Sequence, residues 1–252
     1  MVKPHLVRAS SLVSLSEISS QYKLTVLSDA LSKSSDVIEL VSENGKLVVP
    51  VHKELLCFFS SYYSAALNGN FSEAQKNRFE VALSVERLKW FKDWLYTGEI
   101  PTDQKHPLRY MQLYIFADLV DIIALRRDVM GLLIQVTTFL AEYDEVRYVL
   151  ENVTPHSQLY KWVRDCYSGH WNQESDEEDP CLFNNDTDPD HLLAAFMYEV
   201  MKGLAIRGSA QRDQSYEGYE DWITCSCCNN PCEYHEHSCI EEWEASMLTL
   251  SI

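Results

Sequence analysis

The pattern of apolar and polar positions changes period several times along the chain, and each change marks an element. Leu24, Leu27 and Leu31 fall at helical spacing and predict a helix over about 21–33. The run DVIELV from Asp36 to Val41 and the run KLVVPV from Lys46 to Val51 read as strands. Asn44-Gly45 between them is a strong hairpin signal, because tight hairpin turns need positive φ. Pro50 predicts that the second strand ends there or lies at a sheet edge, since proline donates nothing to a ladder. From Lys53 to about Asn68 the period becomes helical, with Leu55, Leu56, Phe59, Tyr62, Tyr63 and Ala66 forming one apolar face. Phe79–Leu83 alternates like a short strand. Ser84 is placed to cap a helix carrying Val85, Leu88, Phe91 and Leu95, which Gly98 closes in the left-handed region. Further helices are expected over about 108–119, 122–143 (with Leu125, Val129, Leu132, Val136 and Leu140), 156–167 and 190–206.

The order is helix, hairpin, helix pair, strand, then helices, which predicts an α+β domain followed by a mostly helical C-terminal region. At 46% hydrophobic and 12% aromatic, the 252 residues hold enough apolar material for a real core. Charge adds a division that the periodicity does not show. Residues 1–172 hold 18 Lys/Arg against 20 Asp/Glu, whereas residues 173–252 hold 3 against 18 and supply most of the net charge of −17. A surface of that sign repels phosphate backbones and anionic lipid, so no nucleic-acid and no membrane binding is expected of the C-terminal part. The N-terminus lacks an uninterrupted apolar stretch of signal-peptide length, and no window approaches the ~20 apolar residues of a membrane span. An intracellular location, cytoplasm and/or nucleus, is therefore the expectation, with the eight cysteines as thiols or metal ligands.

Five segments, in order, resemble the BTB/POZ family in its short fungal form: SDVIELV, VHKELLCFFSSYYSAALNGNFSEA, FEVAL, FKDWLYTGEI and LYIFADLVDIIAL, between about Asp36 and Leu133. The resemblance implies the BTB/POZ fold, a hairpin and short sheet flanked by helices. It implies a protein-interaction module and not an enzyme, with protein partners and a homodimer in which the Leu24/Leu27/Leu31 helix crosses between subunits. Asp36 and Lys53 match acidic and basic positions that lie together near the dimer's surface groove. Phe58, Phe59, Ser60 and Tyr63 match the segment whose aromatic packs under the first helix pair. Phe71-Ser72-Glu73 matches the hydrophobic-x-acid motif with which many BTB proteins touch a cullin ubiquitin-ligase scaffold. An apolar anchor beside a carboxylate suits such docking. The same three residues also read as a core cap beside a solvated acid, and both readings stand. No kelch or MATH-like repeat and no C2H2 zinc-finger array accompanies the match. The chain divides into an N-terminal helical extension (1–35), a BTB/POZ domain (36–145), a helical extension (146–172), an acidic linker (173–190) and a helix with a Cys/His-rich tail (191–252).

That tail reads CSCCNNPCEYHEHSC over residues 225–239. Thiolates and imidazoles suit Zn²⁺, which takes four in a tetrahedron. Cys228, Cys232, His235 and Cys239 are the first candidates for a structural zinc site, with Cys225, Cys227 and His237 as alternates. The C-x2-H-x-H run resembles the end of many fungal BTB proteins, although the spacing fits no standard finger. A redox-sensitive thiol patch and a loosely structured tail are the other readings. The acids around the cluster, Glu233, Glu236, Glu241 and Glu242, are expected to be exposed. Common catalytic signatures are missing from the sequence. Cys57, His52 and Asp36 assemble into a nucleophilic site only on paper, and Cys57, inside LLCFF, reads as a buried inert thiol.

Overall fold

The computed structural model of the chain describes residues 36–69, 77–102, 106–136, 140–171, 191–213, 227 and 231–236. The helix expected over 21–33 and the acidic linker 173–190 lie outside the described residues.

The hairpin forms as expected. Strands β1 (Val37–Val41) and β2 (Val48–His52) pair antiparallel, with Val37 opposite His52 and Val41 opposite Val48. In the turn, Asn44 Oδ1 accepts from the Lys46 N–H and from Ser42 Oγ, each at 3.0 Å, while Gly45 takes φ 69°. Strand β3 (Arg78–Glu80) lies parallel to β1, and the order β2-β1-β3 leaves β2 at an edge. Pro50 therefore sits in a strand without breaking it, because among the described residues only one side of β2 is paired.

Two helices cross between β2 and β3, the expected pair, although the single apolar face read over Lys53 to Asn68 is broken between them. The first, α1 (Lys53–Phe59), stops at Ser60, and α2 (Ser61–Asn68) starts there. Ser60 takes an extended backbone at φ −127° and ψ 119°. Its Oγ accepts from the Tyr63 N–H at 2.9 Å and donates to the Val120 carbonyl at 2.5 Å. A serine that caps one helix while anchoring to a distant loop ends the preceding helix more effectively than periodicity can extend it. The break shifts the helical phase: Leu67 joins Leu55, Leu56, Tyr63 and Ala66 in the core, and Tyr62 turns outward.

Helix α3 (Val85–Thr97) follows its expected limits. Ser84 Oγ accepts from the Arg87 N–H at 3.5 Å, and Gly98 closes the helix at φ 77°, a conformation that costs glycine nothing. It buries Leu88, Trp90, Phe91, Trp94 and Leu95 against α4 (Pro107–Leu119) and the sheet. Phe91 stacks on Trp94 and meets Phe116 edge-on, so one aromatic cluster ties α3 to α4. Trp94 also donates from Nε1 to Asp128 Oδ2 at 2.7 Å, reaching α5 (Ile123–Val136).

The helix expected over 122–143 is shorter. It runs from Ile123 to Val136, and a separate helix α6 (Tyr143–Asn152) follows. The Glu145 carboxylate accepts from the Glu142 N–H at 3.0 Å, which fixes the start of α6 where the apolar period suggested continuation. Helix α7 (Gln158–His170) buries Leu159, Tyr160, Trp162, Val163 and Tyr167. Helix α8 (His191–Asp213) runs past the expected end near 206 and lies along α7. The approach is close: a Cβ at Gly203 would stand 2.5 Å from Ser168 Oγ and 2.7 Å from its Cβ. Phe196 meets Tyr160 and Tyr167 edge-on, with centroids at 5.9 and 5.7 Å, and completes the joint. No helix among the described residues is long and apolar enough to cross a membrane.

Candidate interaction surfaces

Three places bear on partners: the start of the sheet, a seam between two helix corners, and the docked tail. At the first, the Lys53 N–H donates to the Asp36 carbonyl at 2.9 Å, so the backbones of the two residues sit side by side. The Lys53 ammonium is engaged within the domain, donating to the Leu67 carbonyl at 3.1 Å. A cation in the last turn of α2 is favourable because the carbonyls there lack helical partners. Lys53 thus braces the end of the helix that leads toward Phe71-Ser72-Glu73, and those three residues lie outside the described residues. Nearby, His52 Nδ1 lies 2.8 Å from Tyr96 Oη. The Cys57 thiol faces the Tyr63 carbonyl at 3.8 Å, and burial, foremost, pushes its pKa up. The paper arrangement of Cys57 with His52 does not form.

The second place was not legible in the sequence. Ser60 Oγ bonds to the Val120 carbonyl and Ser61 Oγ to Asp121 Oδ2, joining the α1–α2 corner to the α4–α5 corner. Asp121 takes φ 51°, a left-handed turn that short polar side chains tolerate. On the two sides of this seam stand Phe58 (49% exposed), Tyr62 (48%), Leu119 (69%) and Ile123 (41%). Tyr62 was expected on the buried face, and an aromatic of the Phe58–Tyr63 segment beneath the helix pair. Phe59 and Tyr63 take the inward places, Phe59 against Trp94 at 5.1 Å. Because the break at Ser60 sets the phase, no local pattern in the sequence announces the exposed set.

The third place is the tail. A single turn of 3₁₀-helix, Pro231–Tyr234, packs on α5 and α7. Glu236 makes a two-pronged pair with Arg126, which is only 7% exposed: Nε donates to Oε1 at 2.8 Å and one terminal nitrogen to Oε2 at 2.5 Å. Arg127 Nε donates to the Glu236 carbonyl, and Tyr114 Oη to Oε1 at 3.3 Å. Burial alone would lower the Arg126 pKa. The hydrogen bond and charge of Glu236, with Asp118, hold it above its ordinary value. Lys161 Nζ donates to the Glu233 carbonyl at 3.3 Å and sits 5.0 Å from the centre of the buried Tyr234 ring. Tyr234 Oη donates to Asp165 at 3.2 Å. Glu236 and Glu233, expected to be solvated, are half-buried instead, because the helical half offers them cations.

Of the candidate ligands, Cys225, Cys228, His237 and Cys239 lie outside the described residues, as does the Cys232 side chain. His235 is half-buried beside Gly131 of α5. Cys227 is buried, at 2% exposure, and its Sγ stands 3.3 Å from His170 Nε2 at the end of α7. Trp162 Nε1 donates to the Cys227 carbonyl at 3.1 Å, so the backbone there is held to the same helix. Among the described residues, no three ligating side chains gather. His170 is absent from the sequence-derived ligand set: 57 residues separate it from Cys227, and no spacing rule links them.

The family model described as BTB/POZ domain matches residues 28–133, a span that ends within α5. No curated protein matches the chain. Among solved structures, the BTB domain of zebrafish PATZ1 is similar at 14% identity and a TM-score of 0.34, covering 52% of this chain and 99% of that one. The BTB (Tramtrack and Bric a brac) domain of human Gigaxonin is similar at 18% identity and a TM-score of 0.33, covering 52% of this chain and 98% of that one. The chain carries a BTB/POZ domain over residues 28–133, with α6, α7, α8 and the docked tail built onto its C-terminal side.

Proposed function

We propose that this chain is a protein-interaction module that self-associates through its BTB domain and docks a cullin ubiquitin-ligase scaffold as an adaptor. The observation that carries the docking claim is the apolar set at the seam, Phe58, Tyr62, Leu119 and Ile123, four large side chains left exposed beside a hydrogen-bonded joint. Aromatic and aliphatic anchors on a rigid support are what a partner surface buries. The chain returns from α2 toward β3 through Phe71-Ser72-Glu73, which supplies a further apolar anchor and a carboxylate. Lys53, by holding the end of α2, sets where that segment begins. We assign the protein to an intracellular compartment, where a cullin is available and thiols stay reduced.

The test is retention of a purified cullin by the immobilised full chain. Wild type is expected to retain it, and Phe71→Ala with Glu73→Ala, or Tyr62→Glu, to lose it. Equal retention by all three, or none by wild type, overturns the adaptor reading.

A second reading has its own support: a zinc-stabilised scaffolding or regulatory protein with no ubiquitin role. The meeting of Cys227 with an imidazole favours structural zinc in the tail. Stoichiometric zinc in a chain that retains no cullin selects this reading over the first.

A further inference from the structure

We infer that His170 and Cys227 are two ligands of a single zinc ion that clasps the tail to α7. The inference rests on the zinc reading of the tail and adds a ligand from outside it. Tetrahedral zinc with Zn–S of about 2.3 Å and Zn–N of about 2.0–2.1 Å puts a thiolate sulfur and an imidazole nitrogen about 3.6 Å apart. Cys227 Sγ and His170 Nε2 stand at 3.3 Å, within a small side-chain adjustment of that spacing.

A thiol–imidazole hydrogen bond spans the same distance, so the surroundings have to decide. A nucleophile needs access, and Cys227 is buried at 2% exposure. Its backbone carbonyl accepts from the Trp162 indole, about two turns before His170 on the same helix, so one rigid element carries the ring and holds the backbone that bears the sulfur. The stretch 225–239 holds seven cysteines and histidines in fifteen residues, a supply of soft donors that one hydrogen bond does not call for.

The site takes a divalent ion that accepts sulfur and nitrogen in a tetrahedron, which is Zn²⁺ before Mg²⁺ or Ca²⁺. On binding, the thiol gives up its proton to become thiolate, and the neutral imidazole presents its unprotonated Nε2. No redox step is involved.

The experiment uses the full chain prepared without chelators. Zinc content is measured by elemental analysis, and Co²⁺ replaces Zn²⁺ so that ligand type can be read from the visible and near-ultraviolet spectrum. Wild type should hold about one zinc per chain. His170→Ala should weaken retention more than about tenfold. His170→Cys should restore it, with stronger thiolate-to-cobalt absorption because one more sulfur is bound. This last variant guards against a simple folding defect in the first. Wild type with zinc and His170→Ala with equal retention overturns the ligand assignment alone. Wild type without zinc overturns both the assignment and the zinc reading.

Discussion

Phe91 shows how much one side chain supports. It is fully buried, stacked on Trp94 and edge-on to Phe116, so it joins three residues on two helices. Replacement by Ala removes those contacts and leaves a cavity, at about 3–5 kcal/mol. Against a total stability of roughly 5–15 kcal/mol this is a severe loss. Phe91→Ala is expected to unfold at much lower denaturant, and an unchanged midpoint would show that the cluster carries less than its burial indicates. Glu236 offers a second case at the same scale. Truncating it to Ala leaves the Arg126 guanidinium, 7% exposed, with Asp118 and Asp121 as longer-range partners at 3.5 and 3.4 Å. The expected loss is roughly 1–3 kcal/mol, less than for a fully buried pair because Glu236 keeps some solvent. Hydrogen exchange should quicken in residues 231–236 and stay unchanged in β1 and β2. Protection of 231–236 equal to wild type would mean that other contacts hold the turn.

At the level of elements, the joint between α7 and α8 depends on the absence of a side chain. Gly203→Ala puts a methyl group 2.5 Å from Ser168 Oγ and 2.7 Å from its Cβ, so a helix has to move. A destabilisation of about 1–3 kcal/mol is expected, with α8 exchanging its amides faster. Double replacement, Gly203→Ala with Ser168→Gly, should recover most of it, and failure to recover would contradict the steric account. The same level explains what could be read from the sequence. The hairpin, Ser84, Gly98 and α3 were legible because each rests on a local rule: a turn residue, a cap, a phase. The break at Ser60 was not, because its cause is a carbonyl 60 residues away, at Val120. Helix α6 was hidden by an apolar run that suggested continuation past Val136. For the site, Cys227 stood among the alternates, whereas His170 belongs to another helix and only folding brings it near.

Across the whole molecule, charge asymmetry becomes an internal contact. The acid-rich C-terminal part meets Arg126, Arg127 and Lys161 on α5 and α7, so part of its charge is neutralised within the chain. Buried tyrosines set a further global property. Burial pushes the Tyr63 and Tyr114 hydroxyls well above the usual tyrosine value of about 10. A raised folded pKa gives a contribution that is fully present below the unfolded value and lost as pH climbs above it. Stability is therefore expected to hold up to about pH 9 and to fall beyond about pH 10 as unfolded tyrosines ionise. Denaturant midpoints at the two ends of that range check it, and Tyr63→Phe should flatten the fall. An undiminished midpoint at high pH would show that these hydroxyls ionise freely in the fold.

The interaction-module account stands or falls first on self-association, because a BTB domain that pairs presents its docking surfaces twice and in fixed relation. Light scattering on the full chain at tens of micromolar, a rough concentration scale for a stable pair, reads this directly. The account predicts a mass of twice 29.1 kDa that persists on dilution over the measurable range. A monomer of 29.1 kDa at that concentration would contradict it.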